Sequence, residues 1–315
     1  MVGYGSLSKV LEESIRNACE GKHVGIAFSG GLDSGLVAAV ASRYAESVTC
    51  YTCGTENAFD VKAGMELAEK LGLPWVHCKI GKGNIESLIR ELFSSTGVTD
   101  PFTISYELQL FTVCKTAKEA TIISGQGSDE YFGGCAKLVD QSESDYMMLL
   151  NAGVERLWKV SIPCEQAIAK SFGKELLYPY LTDEVIAEVG TIDPALIRPS
   201  SLESRKVVLR ETAVDMGFPI LENRTKKASQ YGSGTTDLIR GMARSQGKFF
   251  NQYVTDICED VFTGGPLKIR GSVINARVDP IVKVKAEEIL SSQGLTPSEC
   301  IEAVYRRIID AGRFD

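Results

Sequence analysis

Apolar positions follow two rhythms along the first 130 residues. Leu7, Val10, Leu11, Ile15 and Ala18 recur at three- and four-residue intervals, which predicts an amphipathic helix. Short unbroken apolar runs then fall near 24–28, 47–53, 74–80 and 120–124, and helical spacing returns between them, as in Leu36, Val37, Val40, Ala41 and Tyr44. Runs apolar on both faces suit buried parallel strands. The alternation predicts an α/β fold: a parallel sheet with helices on both faces, and ligand at the carboxyl ends of the strands. From about 140 to 262 the pattern is helical with breaks at Pro163, Pro179, Pro194, Pro199 and Pro219, which predicts a helical layer on the sheet.

Thr263-Gly264-Gly265-Pro266 reads as a linker, and the pattern changes after it. Ile274, Ala276 and Val278 alternate with Asn275 and Arg277, predicting one short strand. Asp279-Pro280 starts a helix through Val282, Ala286 and Ile289 that Gly294 ends. Thr296-Pro297-Ser298-Glu299 is a capping box for a second helix with Ile301, Val304, Tyr305 and Ile308 on its apolar face. The expected division is residues 1–262, a linker 263–271, and a small unit 272–315.

Composition narrows the class. With 315 residues, 44% hydrophobic and 24% charged, the chain is ordinary globular material. No apolar stretch approaches the ~20 residues that span a bilayer, and no basic segment with an apolar core opens the chain. The expectation is a cytoplasmic protein without membrane contact. Nine cysteines, an odd number lying mainly in apolar segments, read as reduced core thiols; Cys50 and Cys53 form a CxxC without a second pair or a His cluster. The net charge of −7 argues against a broad nucleic-acid surface, but residues 267–315 carry eight Lys/Arg against seven Asp/Glu.

The chemistry concentrates in two glycine-rich turns that follow strands. Ser29-Gly30-Gly31-Leu32-Asp33-Ser34 stands between a strand and a helix. Gly30 and Gly31 permit tight turns and close approach of a ligand, the helix N-terminus offers unpaired N–H groups to phosphate, and Ser29 and Ser34 add hydroxyls. Asp33 places a carboxylate where phosphate-bound Mg²⁺ needs oxygen. No Lys follows the glycines, so this is not a Walker A loop. It resembles the pyrophosphate loop of the PP-loop ATP pyrophosphatases, which implies ATP cleavage between the α and β phosphates. The second turn, Ser124-Gly125-Gln126-Gly127-Ser128-Asp129-Glu130-Tyr131-Phe132-Gly133-Gly134, supplies another backbone cradle and another carboxylate.

Together the two strings resemble the synthetase domain of asparagine synthetases and β-lactam synthetases. Asp60–Gly72, Tyr178-Pro179-Tyr180-Leu181, the segment Lys206–Glu211 and the loop Arg224–Gly234 extend the resemblance over roughly residues 7–245. It implies an adenine nucleotide alpha hydrolase-like (HUP-type) fold, with ATP and Mg²⁺ as cofactors. It also implies an AMP-forming carbon–nitrogen ligase that adenylates a carboxylate and passes the acyl group to ammonia or an amine. By position, Ser29, Gly30, Gly31, Asp33 and Ser34 would surround pyrophosphate. Asp33 and Asp129 would hold Mg²⁺, and Cys53, Ser124 and Gly125 would sit near adenosine. Lys226, or the adjacent Lys227, would face the α-phosphate, where a cation stabilises the transition state.

Three departures accompany the likeness. Gln126 stands where asparagine synthetases carry a Glu linked to the incoming amine, and Gln cannot accept a proton. Residues 100–105 lack the Arg that meets a substrate carboxylate. Val2 follows Met1 where glutamine-dependent members have a nucleophilic Cys and a glutaminase domain. The expected nitrogen source is therefore ammonia, another amine, or a separate glutaminase subunit.

The strand–helix–helix tail, with its RVDP and GLTPSE strings, resembles the ribbon-helix-helix domain of RelB/DinJ-type antitoxins. That implies a homodimer whose ribbon reads DNA through Asn275 and Arg277. A dimerisation module that touches no DNA remains open, since few cations lie near the ribbon. For the whole chain, the alternative to a ligase is a DNA-binding regulator that senses ATP or a metabolite.

Overall fold

The structure is a computed structural model that describes residues 4–224, 229–259, 261 and 276–313. Its centre is a five-stranded, fully parallel sheet of order β3-β2-β1-β4-β5: β1 (His23–Ala27), β2 (Ser47–Gly54), β3 (Trp75–Lys79), β4 (Thr121–Ser124) and β5 (Glu175–Leu177). β1 pairs with β2 in the register His23↔Ser47 to Ala27↔Tyr51, and with β4 from Val24↔Thr121 to Ala27↔Ser124. The four strands expected from the apolar runs are present. β5 lies in the region read as helical: three residues are too few to display a period.

Successive strand residues face opposite layers. Val24, Ile26, Cys50 and Ile123 join one core, which takes in α1 (Gly5–Cys19) and α2 (Leu32–Ala41), with Leu67 and Ala68 of α3 (Phe59–Leu71). Tyr51, Cys53, Ile122 and Leu176 join the other. There α4 (Ile85–Thr96), α5 (Pro101–Thr116) and the helices Ile162–Ser171, Thr235–Ser245 and Phe250–Glu259 pack. All ten residues of α2 are buried, which explains its nearly unbroken Leu-Val-Ala composition. Cys50 and Cys53 therefore sit on opposite faces of the sheet and share no site.

The two tail helices form where the caps predict, at Pro280–Ser292 and Pro297–Ala311. The Asp279 carboxylate accepts from the Ile281 and Val282 amides, and Thr296 and Glu299 complete a capping box. Ile281 and Val284 pack on a small cluster of Leu138, Tyr146 and Leu149, and Lys285 pairs with Asp145 at 3.1 Å. Of the strand expected over 273–278, residues 273–275, with Asn275, lie outside the described residues, as does the linker 263–271. Ala276–Val278 have no regular structure, and Arg277 is exposed. Among the described residues no helix is long and apolar enough to cross a membrane.

Candidate active site

β1 is the point where the strand order reverses, with β2 on one side and β4 on the other. A crevice opens there at the carboxyl ends. The first glycine-rich turn leaves β1 and enters α2. Gly30 has φ +72°, and a Cβ there would lie 2.3 Å from the Ala63 carbonyl carbon, so no other residue fits without displacing backbone. Gly31 is the N-cap of α2 and no side chain caps the helix, which leaves its first amides for a ligand. The Ser34 hydroxyl accepts from the Ser29 amide at 3.1 Å, folding the loop back on the helix. Arg224 fastens this turn to α3: it donates to the carbonyls of Gly30 (3.0 Å) and Ala63 (2.9 Å), and pairs with Glu66.

The second turn leaves β4 and enters a short helix, α6 (Ser128–Tyr131). At Gly127, φ +90°, a Cβ would lie 2.2 Å from Leu181 Cδ2, and a Cβ on Gly125 would lie 3.1 Å from the Ser34 amide nitrogen. The two turns thus abut. A cavity between them is lined by Ser29, Asp33, Ser34, Cys53, Ser124, Gly125, Gln126 and Asp129, while Gly30 and Gly31 shape the loop behind it. Burial pushes the Cys53 thiol well up, so it contributes shape and apolar surface as a neutral group. Lys226 and Lys227 lie outside the described residues.

The electrostatic centre is a residue to which the sequence reading assigned no role. Lys206, 6% exposed, sends its Nζ to 2.6 Å from Asp33 Oδ1, 2.6 Å from Asp129 Oδ1 and 3.0 Å from Ser128 Oγ. It holds a left-handed backbone, φ +58°, at the N-cap of the helix Val207–Asp215. A β-unbranched residue in that conformation is strained and needs its surroundings to hold it there. Its place in the segment Lys206–Glu211 was the available signal. The convergence of both carboxylates on one ammonium also tests the metal assignment. The Lys206 ammonium takes that point itself, so the two hard oxygen donors would hold Mg²⁺ beside the ammonium, with waters and substrate oxygens as its other ligands. Among the described residues there is no cluster of three or more His, Cys, Asp or Glu that would form an all-protein metal cage.

The far wall of the cavity is acidic and buried. Glu107 of α5 and Glu165 of the helix Ile162–Ser171 both line it, at 2% and 3% exposure. Burial, then the charge of Glu165, pushes Glu107 well above the carboxylate range, with Arg156 opposing. Burial pushes Glu165 up to about 8, with Tyr178 opposing and Glu130 adding to the rise. Tyr106 donates to Gln126 Oε1 at 3.0 Å, which fixes that amide at the cavity edge. The segment 100–105, without an Arg in sequence, receives one in space. Arg156 lies 5.4 Å from the Phe102 ring centroid and donates to Thr103 Oγ1 at 3.3 Å.

The chain is similar in sequence to known proteins. Residues 6–152 match the family model described as asparagine synthase. The chain is 28% identical over 280 residues to the protein named "Putative asparagine synthetase (glutamine-hydrolyzing) 1" of Methanocaldococcus jannaschii, covering 76% of this chain and 51% of that one. It is 26% identical over 228 residues to a glutamine-hydrolysing asparagine synthetase of Brassica oleracea, covering 67% of this chain and 39% of the relative. The chain thus spans about half, or less, of the length of these curated relatives. Among solved structures, NMN synthetase from Francisella tularensis aligns with a TM-score of 0.40 at 13% identity, over 88% of this chain and all of the other.

Proposed function

We propose that this chain, whose residues 6–152 match the asparagine synthase family model, is an AMP-forming, ATP-dependent carbon–nitrogen ligase. In this reading it activates a carboxylate and transfers the acyl group to ammonia or an amine. The observation that carries the reading is the meeting of Asp33 and Asp129, from two separate glycine-rich turns, on Lys206 at the reversal point of the sheet. Two carboxylates and a buried cation at one point supply the charges that cleavage of a Mg²⁺-bound nucleotide calls for.

The chain's own residues divide the work as follows. The open amides at the start of α2 and the hydroxyls of Ser29 and Ser34 receive phosphate oxygens. Lys206 neutralises charge beside them, and Lys226 or Lys227 supplies a cation at the α-phosphate. Asp33 and Asp129 hold Mg²⁺, which when bound offsets phosphate charge. Cys53, Ser124 and Gly125 border the adenosine. Gln126 orients through its amide and moves no proton. The nitrogen comes from free ammonia, an amine, or a separate glutaminase subunit.

Incubation with Mg²⁺, ATP, an amine and a panel of ¹⁸O-carboxylates tests this. AMP, not ADP, is expected, carrying one ¹⁸O from the acid, and Asp129→Asn is expected to abolish it. Formation of ADP and phosphate contradicts the proposal.

The tail is proposed to join two chains. Val282, Ile289, Val304 and Tyr305 are exposed, an apolar set that a second copy would cover. DNA contact through Asn275 and Arg277 is a further outcome that the same unit would allow.

A further inference from the structure

The acidic wall of the cavity holds three oxygens whose hydrogen-bonding capacity is unmet. Glu107 Oε1, Gln109 Oε1 and Glu165 Oε2 are each buried, and each is without a hydrogen-bond partner among the described residues. All three residues line the cavity. Gln109 cannot turn to relieve the deficit: its Nε2 already donates to Ser105 O at 3.2 Å and to Ser233 Oγ at 2.9 Å, which leaves Oε1 as the free end. Buried acceptors without donors are unfavourable in a folded protein, and two adjacent carboxyls more so. The buried Tyr178 hydroxyl, likewise unpartnered, stands beside Glu165 and can turn its proton to that carboxyl, so the donor to be sought in what fills the cavity is chiefly that of Glu107 Oε1 and Gln109 Oε1.

We propose that Glu107, Gln109 and Glu165 form a recognition site for an ammonium group carried by the substrate. An ammonium presents three N–H donors and a positive charge; beside it the two carboxyls, which burial keeps protonated in its absence, would ionise and become acceptors alongside Gln109 Oε1. A neutral hydroxyl has one donor and no charge to set against the pair. The charges facing this wall are consistent with such a guest: Glu130 adds negative potential to Glu165, while Arg156, the cation that acts on Glu107, is itself engaged with Thr103 and Phe102. The inference deepens the ligase reading and rests on it for the identity of the guest, either the nitrogen nucleophile or an amino group on the acid. It also accounts for Gln126. Amine recognition is moved to α5 and the helix Ile162–Ser171, away from the second glycine-rich turn.

Titration calorimetry of the full chain with ammonium chloride, propylamine, 4-aminobutyrate and propanol, on wild type, Glu107→Gln and Glu165→Gln, tests the site. Saturable binding of at least one of the three amines is expected, with propanol inert and the affinity at least tenfold weaker in both variants. Propylamine alone identifies an organic amine nucleophile, ammonium alone identifies ammonia, and 4-aminobutyrate alone places the amino group on the acid. Circular dichroism melts check the folding of the near-isosteric variants, and Glu107→Leu provides a second replacement that removes the carboxyl without adding a donor. Equal binding in wild type and both Gln variants, binding of propanol, or no amine binding overturns the proposal. Pyrophosphate exchange by the wild type separates the two inferences. Amine binding without exchange retains the ammonium site and removes the ligase, whereas exchange without amine binding does the reverse.

Discussion

Lys206 sits where its removal should be felt both in stability and in metal dependence. Breaking a buried ion pair by deleting one partner costs about 3–5 kcal/mol, because an uncompensated charge stays behind. Lys206→Met is expected to lose stability on that scale in urea unfolding, since Asp33 and Asp129 then face each other without a cation. Millimolar Mg²⁺ should restore more stability to the variant than it adds to wild type; equal Mg²⁺ effects would separate Lys206 from the metal carboxylates. Glu165 gives a pH signature. Its folded value of about 8 lies above the ordinary 4.5, so the folded chain holds the extra proton between those values, and stability falls as pH rises through that window. The groups acting on it and on its partner are Glu107, Glu130, Tyr178 and Arg156. Glu165→Gln is expected to flatten this part of the melting curve against pH, and an unchanged slope would mean the carboxyl is ionised at little penalty. Much of the site was legible at this scale: Asp33, Ser34, Gln126 and Asp129 stand in strings whose glycines announce their turns. Lys206 stood within a segment that carried the resemblance but drew no role there, and Glu107 and Glu165 gave no signal, because Glu residues within helices look like solvated surface until packing buries them.

At the scale of elements, the pyrophosphate turn is held by contacts across the chain. Arg224 bonds Gly30 and Ala63 and so couples the turn to α3. Charged hydrogen bonds of this kind contribute about 1.5–3 kcal/mol, so Arg224→Ala should weaken ATP binding roughly ten- to a hundredfold. Nucleotide fluorescence titration reads this directly, and an unchanged affinity would show that the turn holds its shape alone. Gly30→Ala is the stronger test, since the new methyl would strike the Ala63 backbone at 2.3 Å in a left-handed conformation. The strands β1 to β4 and α1 could be read from apolar period alone, because each is long enough to repeat its pattern. β5 could not, with three residues whose place is set by pairing Thr121↔Glu175 to Ile123↔Leu177.

For the molecule as a whole, the sheet order matters more than any one motif, because it places both glycine-rich turns on either side of the same crevice. Alternating elements predicted a parallel sheet, but not which strands would neighbour β1; that depends on contacts far apart in sequence. The tail makes a prediction at this scale too. Sedimentation equilibrium is expected to show a dimer that Val304→Glu with Tyr305→Glu dissociates, and a wild-type monomer would remove the tail from assembly. The central claim, activation of a carboxylate at the expense of ATP, is tested most directly by exchange of labelled pyrophosphate into ATP with Mg²⁺ across a panel of carboxylic acids, beside Asp33→Ala. The account predicts exchange that depends on one class of acid and is lost in the variant. ATP binding with no acid-dependent exchange across the panel would contradict it and favour a nucleotide-sensing regulator.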